Sequence, residues 1–237
     1  MRICQLYLFL FSTILLSFPA HAEKLMIATE EYAPLSYTEN GEIKGVATEQ
    51  VKLIFDKAGV DYEMNVFPWA RAYNNAVADD NTCVFTTSNT LARRDKFKWV
   101  EPLSLNKSVL VKLEGSDVKV GSLEEAKKFN IGIQNEDAGG EKLKELGFDN
   151  LSVGRSADQT LKKLKGGRVD MMVMAESRFK EMASGGEPLA YVADIFSLKM
   201  GLACNPSVSD QTIAALQQQL DTIIENGTQA KIAKKYE

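Results

Sequence analysis

Short apolar runs that alternate with amphipathic stretches constrain this chain more than any other feature. Leu25–Ala28, Tyr62–Phe67, Cys83–Thr87, Val109–Leu113, Ile131–Ile133, Leu151–Val153, Val169–Met174 and Lys199–Cys204 read as strands. Between them the apolar residues recur at helical spacing. Ala47, Val51, Ile54 and Phe55 do so up to Gly59, and Pro68 opens a second helix reaching about Ala78. Further helices are expected over Gly140–Leu146, around Leu161 and Leu164, over Glu176–Ala183, and along Ile213, Leu216, Leu220 and Ile223. Ser122 with Glu125 and Ser156 with Gln159 are capping boxes, in which a hydroxyl satisfies an orphan amide of the first turn. This alternation predicts an α/β fold with mostly parallel sheets flanked by helices. About eight strands are many for one sheet at this spacing, so two lobes are expected.

The chain starts with Arg2, an apolar run from Leu6 to Phe18, and then Pro19, Ala20, His21, Ala22. That order predicts a secretory signal peptide over residues 1–22, cleaved after Ala22, and a periplasmic location. The run falls short of the about 20 residues needed to span a bilayer. Its removal leaves 27 basic against 32 acidic residues. No Lys/Arg cluster stands out, so nucleic acid is not expected as a partner. The sole histidine, His21, leaves with the signal peptide. Ser-His-Asp and Cys-His catalysis are thereby excluded, and the commonest metal ligand is lost. Met171, Met172 and Met174 read as strand core, not a soft-metal site, and no cofactor is expected. Of three cysteines, Cys83 and Cys204 remain in the secreted chain. In an oxidising compartment they read as a disulfide; two buried free thiols are the alternative.

Several segments, taken in order, resemble the polar amino-acid-binding group of extracellular solute-binding proteins of ABC transporters. These are Thr29-Glu30-Glu31-Tyr32-Ala33-Pro34-Leu35-Ser36-Tyr37, Gly41 to Ala47, Thr86-Thr87-Ser88-Asn89-Thr90-Leu91-Ala92-Arg93, Phe97-Lys98-Trp99-Val100-Glu101-Pro102-Leu103, Gly166-Gly167-Arg168-Val169-Asp170, and Asn226-Gly227-Thr228 with Tyr236. Pro68-Trp69 with Arg71 resembles a PWxR-type subgroup. The resemblance implies a two-lobe periplasmic-binding-protein fold with two crossover segments. Lobe 1 would comprise 23–104 and 201–237, and lobe 2 would comprise 105–200. It also implies that the returning strand lies antiparallel beside the third strand, which would set Cys204 next to Cys83.

By the same resemblance Arg93 would grip a ligand carboxylate, with Thr86 and Ser88 beside it. The alternative for Arg93 is a surface pair with Asp95 or Glu101. Tyr32 and Trp69 would be aromatic walls, or ordinary core. Arg71 would either point back at the cleft or be an exposed helix residue. Two departures bear on the ligand. Asp137, with Glu136, stands where the family has a Lys/Gly/Thr-rich turn. The family's amine-binding Asp is replaced by Ala175, with Glu176 one residue on. The expected function is a monomeric, non-enzymatic receptor that captures a small polar solute, an amino acid or related carboxylate, for a membrane permease complex. A sensory binding subunit is the alternative, and a lyase or dehydratase using Glu30, Glu31, Asp137 or Glu176 a more distant one.

Overall fold

The computed structural model describes residues 24–236, so the expected signal peptide lies outside them. In chain order the first half holds β1 (Leu25–Thr29), a hairpin of β2 (Tyr37–Glu39) and β3 (Glu42–Lys44), α1 (Val46–Ala58), β4 (Tyr62–Val66), α2 (Trp69–Ala78), β5 (Thr82–Ser88) and the single turn α3 (Leu91–Arg94). A 16-residue strand, β6 (Lys98–Leu113), leads away from it. The second half follows with α4 (Leu123–Ala126), β7 (Ile131–Gln134), α5 (Ala138–Glu145), β8 (Leu151–Gly154), α6 (Ala157–Lys165), β9 (Met171–Ala175) and α7 (Glu176–Ser184). A second 16-residue strand, β10 (Leu189–Cys204), returns to the first half, which α8 (Asp210–Glu225) and α9 (Thr228–Lys234) complete.

The strands lie in the order β4-β1-β5-β10-β6-β9-β7-β8. β6 and β10 are antiparallel along their whole length, from Cys204 opposite Lys98 to Leu189 opposite Leu113. β5 joins only the Met200–Cys204 end of β10, and β9 joins only the Ser108–Lys112 end of β6. Between these ends, where Leu105 faces Lys199 and Lys107 faces Ser197, the two-stranded ribbon alone connects the halves.

Each half buries its central strands, β1 and β5 or β7 and β9, on both faces, which is why they read as continuous apolar runs. Ile27 packs with Val51, Phe55, Phe85 and Leu216, whereas its neighbour Ala28 packs with Ala72, Tyr73 and Val84. Alternate residues of β9 divide likewise, Met171 and Val173 joining Ile131 and Leu143, Met172 and Met174 joining Leu161 and Leu164. The methionines are therefore strand core, as expected. Phe55 is fully buried, so truncation to Ala would cost about 3–5 kcal/mol. Both capping boxes form: Ser122 Oγ accepts from the Glu125 amide and Ser156 Oγ from the Gln159 amide.

Cys83 and Cys204 are a registered antiparallel pair and are joined as a disulfide. The crossing strands are much longer than their apolar ends predicted, starting at Lys98 and Leu189 and not at Val109 and Lys199. Between the halves the ribbon is open to water, with Leu105 72% exposed, so no apolar period marks it. Pro102, which lacks a ladder donor, falls where the register shifts between Met200 and Leu202. The last expected strand of the second half is displaced to Met171–Ala175, because Asp170 instead accepts a hydrogen bond from the Asn130 amide. Among the described residues no helix is long and apolar enough to cross a membrane.

Candidate functional site

A cavity of about 50 Å³ lies where the two halves meet. The ends of β1 and β5 and the turn α3 supply one wall; the β7–α5 and β9–α7 junctions supply the other. Thr86 sits at a bulge, since Phe85 and Thr86 stand between the pairs Val84–Ala203 and Thr87–Gly201, against Leu202 alone. Its φ of 60° is left-handed, a conformation that costs a β-branched residue about 1–3 kcal/mol. The bulge turns Thr86 toward the cavity, where Ser88 also lies.

Thr90 starts α3, and Arg93 follows three residues on, so both side chains project from one face. Arg93 is 1% exposed. It does not pair with Asp95 or Glu101. Nε and Nη2 donate to Glu141 Oε1 at 3.1 and 2.8 Å, and Nη2 also donates to the Glu136 carbonyl at 2.6 Å. The Thr90 hydroxyl donates to Glu141 Oε2 at 3.1 Å. Trp69, from the first turn of α2, donates its indole N–H to the same Glu136 carbonyl at 2.7 Å. Glu136 has a φ of 57°, and this left-handed turn aims its carbonyl across the cleft.

Tyr32 does more than offer an aromatic face. Its hydroxyl accepts from the Ala175 amide at 2.9 Å, and the Arg178 guanidinium stacks on its ring at 4.8 Å. Gln134 donates to Glu30 Oε2 at 2.7 Å. Withdrawal from water pushes the Glu30 carboxyl up to about 8; the Gln134 hydrogen bond and Arg178 only partly offset that, and Asp137 and Asp158 add to it. Burial also raises Asp137, against the pull of Arg93 and of two amides. Asp137 is the N-cap of α5, its Oδ2 accepting from Gly139 and Gly140. A Cβ on Gly139 would stand 2.4 Å from Val173 Cγ1, so only glycine lets the helix start this close to β9.

Six of the eight residues singled out from the sequence thus meet at one cavity: Tyr32, Trp69, Thr86, Ser88, Arg93 and Asp137. Two do not. Arg71 is exposed and stacks on Phe67 at 4.4 Å, because it falls off the buried Trp69-Ala72-Tyr73-Ala76 face of α2. Glu176 lies on the hinge side, paired with Lys107 at 3.2 Å and Lys180 at 3.3 Å, because the one-residue shift from Ala175 carries its side chain away from Tyr32. Residues that sequence reasoning left without a binding role complete the clasp: Glu141, Gln134, and Glu30, which had been considered only as an acid or base. The Thr90-x-x-Arg93 spacing pointed to one side of the clasp; nothing local marks Glu141, 48 residues away. Among the described residues no cluster of His, Cys, Asp and Glu is arranged to hold a metal ion.

The arrangement is a cleft whose walls are carried by separate half-sheets and joined by groups that form hydrogen bonds across it. The same fold is found in an ancestral arginine-binding protein bound to arginine, with a TM-score of 0.81, 21% identity, and coverage of 91% of this chain and 99% of that one. The arginine-, lysine-, histidine-binding protein ArtJ from Geobacillus stearothermophilus matches with a TM-score of 0.80, 21% identity, and coverage of 90% and 95%. A histidine kinase sensor domain with similarity to periplasmic binding proteins matches at 0.81, with 17% identity and coverage of 90% and 95%. Among curated proteins none matches the chain in sequence. Residues 25–237 match the bacterial extracellular solute-binding proteins, family 3, and with its cleft, crossing strands and fold in agreement the chain belongs to that family.

Proposed function

We propose that this protein captures a small polar solute in the periplasm, closes its two halves over it, and delivers it to the permease of an ABC transporter. The lobes in this reading are 23–104 with 201–237, and 105–200, and the Pro68-Trp69-Arg71 segment supports membership of a PWxR-type subgroup. The observation that carries the reading is the set of hydrogen bonds across the cavity: Trp69 and Arg93 to Glu136, Arg93 and Thr90 to Glu141, Gln134 to Glu30, and Ala175 to Tyr32. Each joins a group on one half to a group on the other. A ribbon of two strands is a natural hinge, so these contacts break on opening and form on closing. Thr86, Ser88, Tyr32 and Trp69 are the groups we assign to the ligand itself, with Arg93 holding the clasp. The protein acts as a binder, not an enzyme, and as a monomer.

A thermal-shift screen over amino acids, amines and small carboxylates tests the reading, since a solute bound only by the folded state raises the melting temperature. Recovery of the tightest solute unchanged after prolonged incubation is the expected result for a binder. Conversion of that solute would instead establish an enzyme. Deletion of the gene is expected to abolish growth on the solute. Unimpaired growth with a lost signalling response would make the protein a sensory subunit, an output the fold also serves in the kinase sensor domain.

A further inference from the structure

A solute cleft has two good ways to hold a ligand carboxylate: a guanidinium, and the amides at the N-terminus of a helix. In this protein both are filled by carboxylates of its own. Glu141 takes Nε and Nη2 of Arg93 with one oxygen, at 3.1 and 2.8 Å, and accepts from Thr90 with the other, at 3.1 Å. It therefore occupies the Nε–Nη2 edge of Arg93 and the Thr90 hydroxyl together. At α5 the opening amides of Gly139 and Gly140 donate to Asp137 Oδ2, at 3.0 and 3.3 Å. The other guanidinium beside the cavity, Arg178, is paired with Asp158 at 2.6 Å.

The remaining groups are acids. Glu30 and Asp137 line the cavity, and the one cation that does so among the described residues, Arg93, already carries Glu141. A ligand carboxylate would have to displace Glu141, a tethered competitor present at an effective concentration on the order of millimolar. It would also have to approach Glu30 and Asp137. An ammonium group meets the opposite conditions: two acids that have no ion-pair partner among the described residues, and whose ionisation a nearby positive charge favours.

Resting on the solute-binding reading above, we infer that the cleft selects a small organic amine without a carboxylate, with Glu141 and Asp137 standing in for the carboxylate that an amino acid would bring. Glu30 is then the group that recognises the ammonium.

Matched pairs that differ only by the carboxylate test this: agmatine with arginine, putrescine with ornithine, ethanolamine with serine. Titration calorimetry on the mature protein should show at least one amine binding ten-fold or more tightly than its amino acid. Glu30→Gln should weaken that amine at least ten-fold. Glu141→Gln should improve the amino acid relative to its amine by at least ten-fold, because Arg93 is released. Glu141→Ala repeats that measurement without a hydrogen-bonding side chain, and circular dichroism checks each variant's fold. If the wild-type protein binds every amino acid at least as tightly as its amine, or if neither Glu141 variant moves the ratio, the inference fails and the solute-binding reading stands. If no amine, amino acid or small carboxylate binds the folded protein, both fail.

Discussion

Two groups of charges, one across the cleft and one between the hinge ribbon and the second half, differ in their surroundings. Inside the cleft Arg93 is 1% exposed and Glu141 25%, and the pair is fixed by Thr90 and the Glu136 carbonyl. At the hinge Lys107 pairs with Glu176 and Asp194 with side-chain exposures of 38, 27 and 51%. These partners hold Lys107 above its ordinary range and hold Glu176 and Asp194 below theirs. Water screens the hinge group, and exposed pairs contribute little. The cleft pair has lost that screening, so its partners depend on each other. The chemistry of the side chains is alike in the two places; only the cleft pair both joins the two halves and is withdrawn from water, so only it can hold the molecule closed.

Removing one partner of each group is the sharpest way to break that comparison. Glu141→Ala leaves a buried guanidinium uncompensated and should disfavour the closed form by about 3 kcal/mol, at the low end of the range because Glu141 is partly exposed. A larger radius of gyration by small-angle scattering is the expected result; an unchanged closed profile would place the clasp elsewhere.

Acidity gives the next effect. Glu30 is raised in the folded protein to about 8, so the folded state holds a proton that the unfolded chain releases near its ordinary carboxylate range. That stabilisation is full at low pH and is lost as pH rises toward 8, by up to about 1.4 kcal/mol per pH unit in between. Urea midpoints measured from pH 5 to 8 should fall, and Glu30→Gln should flatten the slope. An equally steep slope in that variant would assign the proton to Asp137, which is shifted in the same direction.

Trp69→Phe removes one donor from the Glu136 carbonyl while Arg93 continues to bond it. A loss of about 1 kcal/mol is expected, measurable as a small drop in urea midpoint. Glu176→Gln at the hinge should be the mildest, leaving the urea midpoint and the scattering profile unchanged within error. A loss as large as that of Glu141→Ala would remove the distinction between the two charge groups.

Burial on both sides made some regions easy to read and exposure hid others. β1, β5 and β9 are covered by helices on both faces, so their apolar runs were plain. The ribbon of β6 and β10 is bare between the halves, and only its covered ends, Val109–Leu113 and Lys199–Cys204, were visible. In the site, Arg93, Thr86, Ser88, Tyr32 and Trp69 were found through the family resemblance, which runs along single segments. Arg71 was left open between the cleft and an exposed helix face, and helical phase, not proximity to Trp69 in sequence, decides for the exposed face.

The residues alone determined the two-faced strands, the helix caps, and a cysteine pair whose natural partner was each other, because these depend on nearest neighbours, periodicity and count. Only the tertiary structure decided that Arg93 meets Glu141 and that Gln134 meets Glu30. Those partners lie 48 and 104 residues apart, on different halves. Their distance is set by how two sheets sit across a hinge, and hydrogen bonding and desolvation act only over the last few ångströms of that approach.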